Sequence, residues 1–107
     1  YLYGPNTNLG HNSILLMLEC QFDYVAQALR TMRERDAQGL EIRPEVHQRF
    51  NRELQEILAG SSWAASCASW YKTPDGRITN NWSGSVEDYK KATARFEPAD
   101  YAMLRAA

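Results

Sequence analysis

Charge of one sign is what this sequence most plainly lacks: 12 Lys plus Arg stand against 13 Asp plus Glu, for a net charge of -1. A surface that tracks a phosphate backbone needs a basic patch, so nucleic-acid binding is not expected. Cysteine is scarce too. Cys20 and Cys67 lie far apart with no CxxC spacing, which gives no sign of a secreted disulfide scaffold and points to reduced, buried thiols. Histidine is limited to His11 and His47, and two histidines with two distant cysteines do not make metal-ligand spacing. No apolar run reaches the roughly 18 residues of a membrane span, and no basic region with a cleavage site opens the chain. The expectation is a soluble, cytoplasmic chain that engages no membrane. Also missing are GxGxxG and GxxxxGK phosphate loops, and any Ser/His/Asp or Cys/His set in a recognisable local context.

What is present begins at residues 3–13, Tyr-Gly-Pro-Asn-Thr-Asn-Leu-Gly-His-Asn-Ser. Gly4 and Gly10 allow positive φ or a close backbone approach, Pro5 fixes one dihedral, and Asn6, Asn8 and Asn12 tolerate left-handed conformations and bond locally to backbone. The run passes straight into an apolar helix candidate, so it reads as a ligand-facing turn. Before it, Tyr1, Leu2 and Tyr3 alternate and stop at Gly-Pro, like the end of a strand whose earlier part is outside the sequence.

At 107 residues the chain makes one domain at most, able to bury roughly two thirds of its unfolded surface. From an Asn12 or Ser13 N-cap to about Arg35, a helix is drawn by Ile14, Leu18, Phe22, Val25, Leu29 and Met32 at spacings of three and four. Leu15, Leu16 and Met17 fill its other faces, and a helix start that is apolar all round must be buried all round. So short a chain has little to surround it with, so partner surface from outside is implied. Leu40, Glu41 and Ile42 form a brief extended segment. Pro44 opens a second helix with a stripe of Val46, Phe50, Leu54, Ile57 and Leu58, closed by Gly60 as C-terminal cap. Residues 61–71 alternate small residues with Trp63, Trp70 and Tyr71. Thr73-Pro74-Asp75-Gly76 is a turn, so residues 69–71 and 77–79 can flank a hairpin. Ser85-Val86-Glu87-Asp88 has the form of a capping box opening a third helix through Thr93, and residues 98–104 can make a last short one.

The 3–13 run, followed by a helix with Glu19-Cys20-Gln21, resembles the C-terminal region of flavin-dependent monooxygenases of the Baeyer-Villiger class, in particular the cyclohexanone and aryl-ketone branch. Ser69-Trp70-Tyr71, a turn, Trp82-Ser83-Gly84 and a helix containing Tyr89 agree with it. Between Trp70 and Trp82 this chain has Lys72-Thr73-Pro74-Asp75-Gly76-Arg77, similar to the shorter version of that segment. The glycine fingerprints of the family's two dinucleotide-binding domains, its FxGxxxHxxxW signature and its flavin-side arginine are not among these residues.

The resemblance implies a mostly α piece with short β segments, the C-terminal fragment of an α/β flavoprotein with two dinucleotide-binding domains. Residues 1–36 would be the flavin-facing loop and first helix of the FAD domain, and residues 37–107 the C-terminal helices with a cofactor-loop segment. It implies FAD contacts at Gly4, Pro5, Asn8, Gly10, Asn12, Ser13 and Ile14, mainly through backbone N–H groups near residues 12–14, with Asn6 and Asn8 holding the loop in shape. It implies that Trp70 meets the nicotinamide of NADPH and shields the flavin from water. No catalytic side chain and no metal is assigned. The whole enzyme would insert an oxygen atom from O2 into a small ketone or oxygenate a soft heteroatom. Its partners would be the upstream FAD and NADP domains of the same chain; the fragment alone would be inactive and would self-associate through residues 14–18. The alternative is an independent helical module that binds a partner protein through the apolar start of its first helix.

Overall fold

The computed structural model describes every residue except His11, Cys67 and Ala107. The expectations placed on His11 and on the Cys67 thiol therefore lie outside the described residues. Three helices carry the fold: α1 (Ile14–Glu34), α2 (Pro44–Ala59) and α3 (Val86–Thr93). Two strands, β1 (Gly39–Ile42) and β2 (Tyr101–Leu104), pair antiparallel with Leu40 opposite Met103, and 3-10 turns occupy Ser62–Ala64 and Pro98–Asp100.

Each start has a local cause. Pro44 stands at the first turn of α2, where its missing N–H costs nothing. Ser85 caps α3 by accepting from the Asp88 N–H, while the Asp88 carboxylate accepts from the Ser85 N–H, so the expected capping box forms. At α1 the N-cap is Ser13, but its side chain makes no cap hydrogen bond. Gly60 ends α2 at φ -86, without the left-handed conformation that usually recommends glycine there.

Two expectations fail. Tyr1, Leu2 and Tyr3 are not a strand: Tyr3 turns to φ 50, and its N–H donates to Gln21 Oε1 at 2.7 Å, a geometry no extended segment can adopt. Residues 98–104 make one 3-10 turn and then a strand. A helix that short gains few internal bonds against its nucleation cost, whereas β2 finds a ladder already offered by β1, a partner no local pattern reveals.

The core comprises Leu9, Met17, Leu54, Leu58, Ile78, Trp82 and Tyr89, with Cys20, Trp63, Tyr71 and Val86 packed against it. Trp82 meets Tyr89 edge-on at 5.2 Å and donates its indole N–H to the Ser85 carbonyl. Phe96 is buried between Tyr24 and Tyr101, stacked on the latter at 4.7 Å. The Tyr24 and Tyr101 hydroxyls meet at 2.9 Å, and burial first, then this bond, raises the Tyr24 pKa.

The expected stripe of α1 is left largely uncovered by this chain. Phe22, Val25 and Leu29 are 52%, 45% and 59% exposed, Ile14 and Leu15 are exposed as well, and within the helix start it is Met17 that is buried. What α1 turns inward mixes the apolar Met17 and Cys20 with polar groups: Gln21 Nε2 donates to the Tyr89 hydroxyl, and Gln27 bridges the Ala94 carbonyl and the Phe96 N–H. The outward-facing apolar stripe accompanies an extended shape, 49 × 28 × 19 Å, with a radius of gyration of 15.6 Å. A compact chain of this length would have about 13 Å.

Candidate functional site

The loop before α1 is held from outside that helix. Residues 6–8 run parallel to residues 79–82: the Asn6 N–H donates to the Thr79 carbonyl (2.8 Å), the Asn8 N–H to that of Asn80 (2.8 Å), and the Trp82 N–H to that of Asn8 (2.9 Å). Side-chain amides reinforce the ladder. Asn6 Nδ2 reaches the Ile78 and Asn81 carbonyls at 2.9 and 3.1 Å, and Asn8 Nδ2 reaches Asn81 Oδ1 at 3.0 Å. The Tyr3 hydroxyl donates to Asn8 Oδ1 at 2.9 Å, so both ends of that amide are engaged inside the chain.

The left-handed positions are not the glycines. Asn6 has φ 57 and Tyr3 φ 50, and among the described glycines only Gly76 has a positive φ. Asparagine is the side chain best suited to that region after glycine, since its short amide bonds locally. At Gly4 the requirement is close approach: a Cβ there would stand 3.0 Å from both the carbonyl oxygen and the Cβ of Tyr1. At Gly10 a Cβ would meet nothing within 4 Å.

The expected flavin-facing residues fall into two groups. Gly4 and Pro5 line an open, mainly apolar groove of about 690 Å³ whose other wall is Phe22, Val25 and Leu29. Gly10, Ser13 and Ile14 are exposed and Asn12 half-buried at the start of α1. The first-turn N–H groups of a helix have no acceptor within the helix and carry a partial positive charge. Here no acidic residue stands in that turn and the Ser13 hydroxyl leaves them uncapped. Beside this helix start Ile14 and Leu15 are exposed.

Trp70 is elsewhere, 75% exposed on a hairpin that closes at Thr73–Gly76. Of the expected hairpin only one antiparallel bridge forms, Lys72 with Ile78, flanked by bonds from the Thr73 N–H to the Arg77 carbonyl and from the Thr79 N–H to the Tyr71 carbonyl. Trp70 leans edge-on to Tyr71 at 6.0 Å, and Tyr71 to Trp63 at 5.2 Å. Asp75, at the turn, is held below the usual carboxylate range chiefly by the Thr73 hydroxyl.

Sequence reasoning passed over Asn81, fully buried, and Gln55, whose amide brackets Ile78 by accepting from its N–H (3.1 Å) and donating to its carbonyl (2.7 Å). The consecutive amides Asn80 and Asn81 after an apolar residue were the available signal.

Along nearly all of its length the chain is homologous to flavin-dependent monooxygenases. It is 41% identical over 95% of its residues to the FAD-binding monooxygenase ktnD of Aspergillus niger, of which it spans 18%. It is 40% identical over 94% of its residues to a Baeyer-Villiger monooxygenase of Pseudomonas aeruginosa and 36% identical over 97% to one of Streptomyces coelicolor, spanning 20% of each. The chain thus matches a C-terminal segment of Baeyer-Villiger and FAD-binding monooxygenases, about a fifth of their length. No family model and no solved structure matches it. Among the described residues no helix is long and apolar enough to cross a membrane.

Proposed function

We propose that this chain is the C-terminal part of an FAD- and NADPH-dependent monooxygenase that inserts an oxygen atom from O2 beside the carbonyl of a ketone, or oxygenates a soft heteroatom. The observation that carries the reading is the ordered match over 95% of the chain to an FAD-binding monooxygenase. FAD, when bound, supplies the oxygen-activating chemistry. The residues here fit its ring: the uncapped start of α1 offers N–H donors and positive dipole to an anionic edge, and Ile14 and Leu15 offer apolar surface. Asn6 and Asn8 fix the approach of the loop through their amide bonds to residues 78 and 81. Trp70, whose ring is large, flat and exposed, would cover a nicotinamide and exclude water. The outward stripe of α1 packs on the upstream FAD and NADP domains of the same polypeptide, and the segment alone has no activity.

The test is Gly10→Val in the intact protein. This chain leaves the Cβ position open and φ is not left-handed, so a side chain at residue 10 has room to start. A loss of FAD retention at unchanged thermal stability is the expected result; unchanged flavin content refutes the placement of the ring against this loop.

A further inference from the structure

We propose that the pocket between α1, β1, α2 and α3 is a binding site for a small uncharged ring compound with one hydrogen-bond acceptor, held by the hydroxyl pair of Tyr24 and Tyr101. The site goes beyond the monooxygenase reading and does not depend on it.

The pocket has a volume of about 350 Å³ and takes a wall from each of these elements and from β2: Tyr24 of α1, Ile42 of β1, Phe50 of α2, Tyr89 of α3 and Tyr101 of β2. Small-molecule sites usually measure roughly 300–1,000 Å³. Trp82 adds a fifth aromatic ring to the lining. The pocket adjoins the apolar groove along α1 across Tyr24 and Tyr89. Of the residues expected at the cofactors only Pro5 lines it, and Gly10, residues 12–14 and Trp70 do not.

What a ligand must offer follows from which polar groups of the wall are already spent. The Thr7 hydroxyl donates to the Gly4 carbonyl and the Thr93 hydroxyl to that of Tyr89. Asn6 Nδ2 serves the Ile78 and Asn81 carbonyls, the Trp82 indole N–H serves Ser85, and the Tyr89 hydroxyl accepts from Gln21. The Tyr24 and Tyr101 hydroxyls meet at 2.9 Å; in such a pair one donates and the other accepts, so one phenol proton is left over. That proton has no acceptor among the described residues. Phe96 braces both rings, stacked on Tyr101 and edge-on to Tyr24, so the donor is set before anything binds.

Burial first, then the Tyr101 bond and the charge of Asp100, raises the Tyr24 pKa, which keeps the pair protonated. No Lys or Arg lines the pocket, and the Asp100 carboxylate in its wall opposes an anion. A protonated amine, itself a donor, has nothing to give the free proton. An uncharged acceptor on an apolar ring is what remains.

The experiment is equilibrium dialysis of the intact protein, without NADPH, against quinoline and naphthalene at a pH where quinoline is uncharged. The two share an outline and differ by one ring nitrogen, an acceptor. The wild type is expected to bind quinoline about fivefold more tightly, the worth of one net hydrogen bond. Tyr24→Phe combined with Tyr101→Phe keeps both rings and removes both hydroxyls, and its ratio is expected to fall within about twofold of one while naphthalene affinity holds. Equal affinities in the wild type, or a preference that survives in the double variant, overturn the proposal. So does a failure of both compounds to bind saturably, which would mean that other parts of the polypeptide fill the pocket. If the double variant does not fold, Phe50→Glu decides. Phe50 is 49% exposed, so the change is tolerated, and a charge in this wall is expected to weaken both compounds about fivefold or more; unchanged affinities overturn the proposal. Each of these negative results leaves the monooxygenase reading standing.

Discussion

Replacing Phe22, Val25 and Leu29 together with glutamine would test whether the outer face of α1 is covered in the intact protein. These side chains are 52%, 45% and 59% exposed. Complete burial of such a side chain stabilises by about 1.5–3 kcal/mol, so with half of each already buried roughly 1 kcal/mol apiece is still to be gained, about 3 kcal/mol in total. In the isolated 107-residue chain that gain is not realised. Glutamine is a good helix former, so the helix itself is kept. The triple variant is therefore expected to lose the contribution of the half already buried in both settings, and about 3 kcal/mol more in the intact protein than in the isolated chain, as read by urea unfolding. Sedimentation velocity adds a second reading. The wild-type chain alone is expected to self-associate, through this stripe as well as the exposed Ile14 and Leu15, and the triple variant to do so less. An intact protein that loses no more than the isolated chain would show that nothing covers the stripe; a monodisperse wild-type chain at high concentration would favour an autonomous helical module.

Two further outcomes are expected. Trp70→Ala in the intact enzyme should weaken NADPH binding and raise hydrogen peroxide release per NADPH oxidised, with stability within about 0.5 kcal/mol because the ring is 75% exposed; unchanged affinity and leakage would remove Trp70 from the cofactor site. At α3, the Ser85 N–H and then the Ser85 hydroxyl hold the Asp88 carboxyl below its ordinary value of 3.8. A group depressed on folding contributes stability that is present above its unfolded value and is lost as pH falls through the folded one. The thermal midpoint should thus drop on acidification below 3.8, and Asp88→Asn should flatten that limb; an equal slope in the variant would show that the box does not titrate with folding.

The helices were legible because their signals are local. Pro44 at a first turn, the Ser85 and Asp88 pair, and apolar residues three and four apart each act within one or two turns. β2 was not legible, since its partner lies about sixty residues earlier and neither strand has more than 4 residues. At the loop, the residue types were read correctly as turn formers, but the left-handed conformation went to Asn6 and Tyr3 rather than to Gly4 and Gly10. The reason is the ladder to residues 79–82: Asn6 can take that conformation and still spend its amide on Ile78 and Asn81, which glycine could not. The stripe of α1 was legible as a stripe, though not in direction, because periodicity says that a face is apolar without saying what it meets.

That direction has a physical logic. On the monooxygenase reading α1 joins two bodies and has two faces to satisfy, and it gives most of its directional bonds to one of them. Toward its own chain it packs Met17 and Cys20 on the core and adds Gln21, Tyr24 and Gln27, whose hydrogen bonds to Tyr89, Tyr101, Ala94 and Phe96 are specific in register but individually modest, about 1 kcal/mol each net. Away from it, α1 keeps Phe22, Val25 and Leu29, whose burial is larger and indifferent to register. Directional bonds fix α1 against α3 and so fix where the uncapped start of α1 points; the apolar face supplies adhesion to whatever it meets without dictating an angle. The reverse arrangement would leave glutamines to hold the larger contact and hydrophobic packing to set the aim of the loop. On the monooxygenase reading, the donors at residues 12–14 can be aimed by this chain alone, while their target is brought to them by the other body.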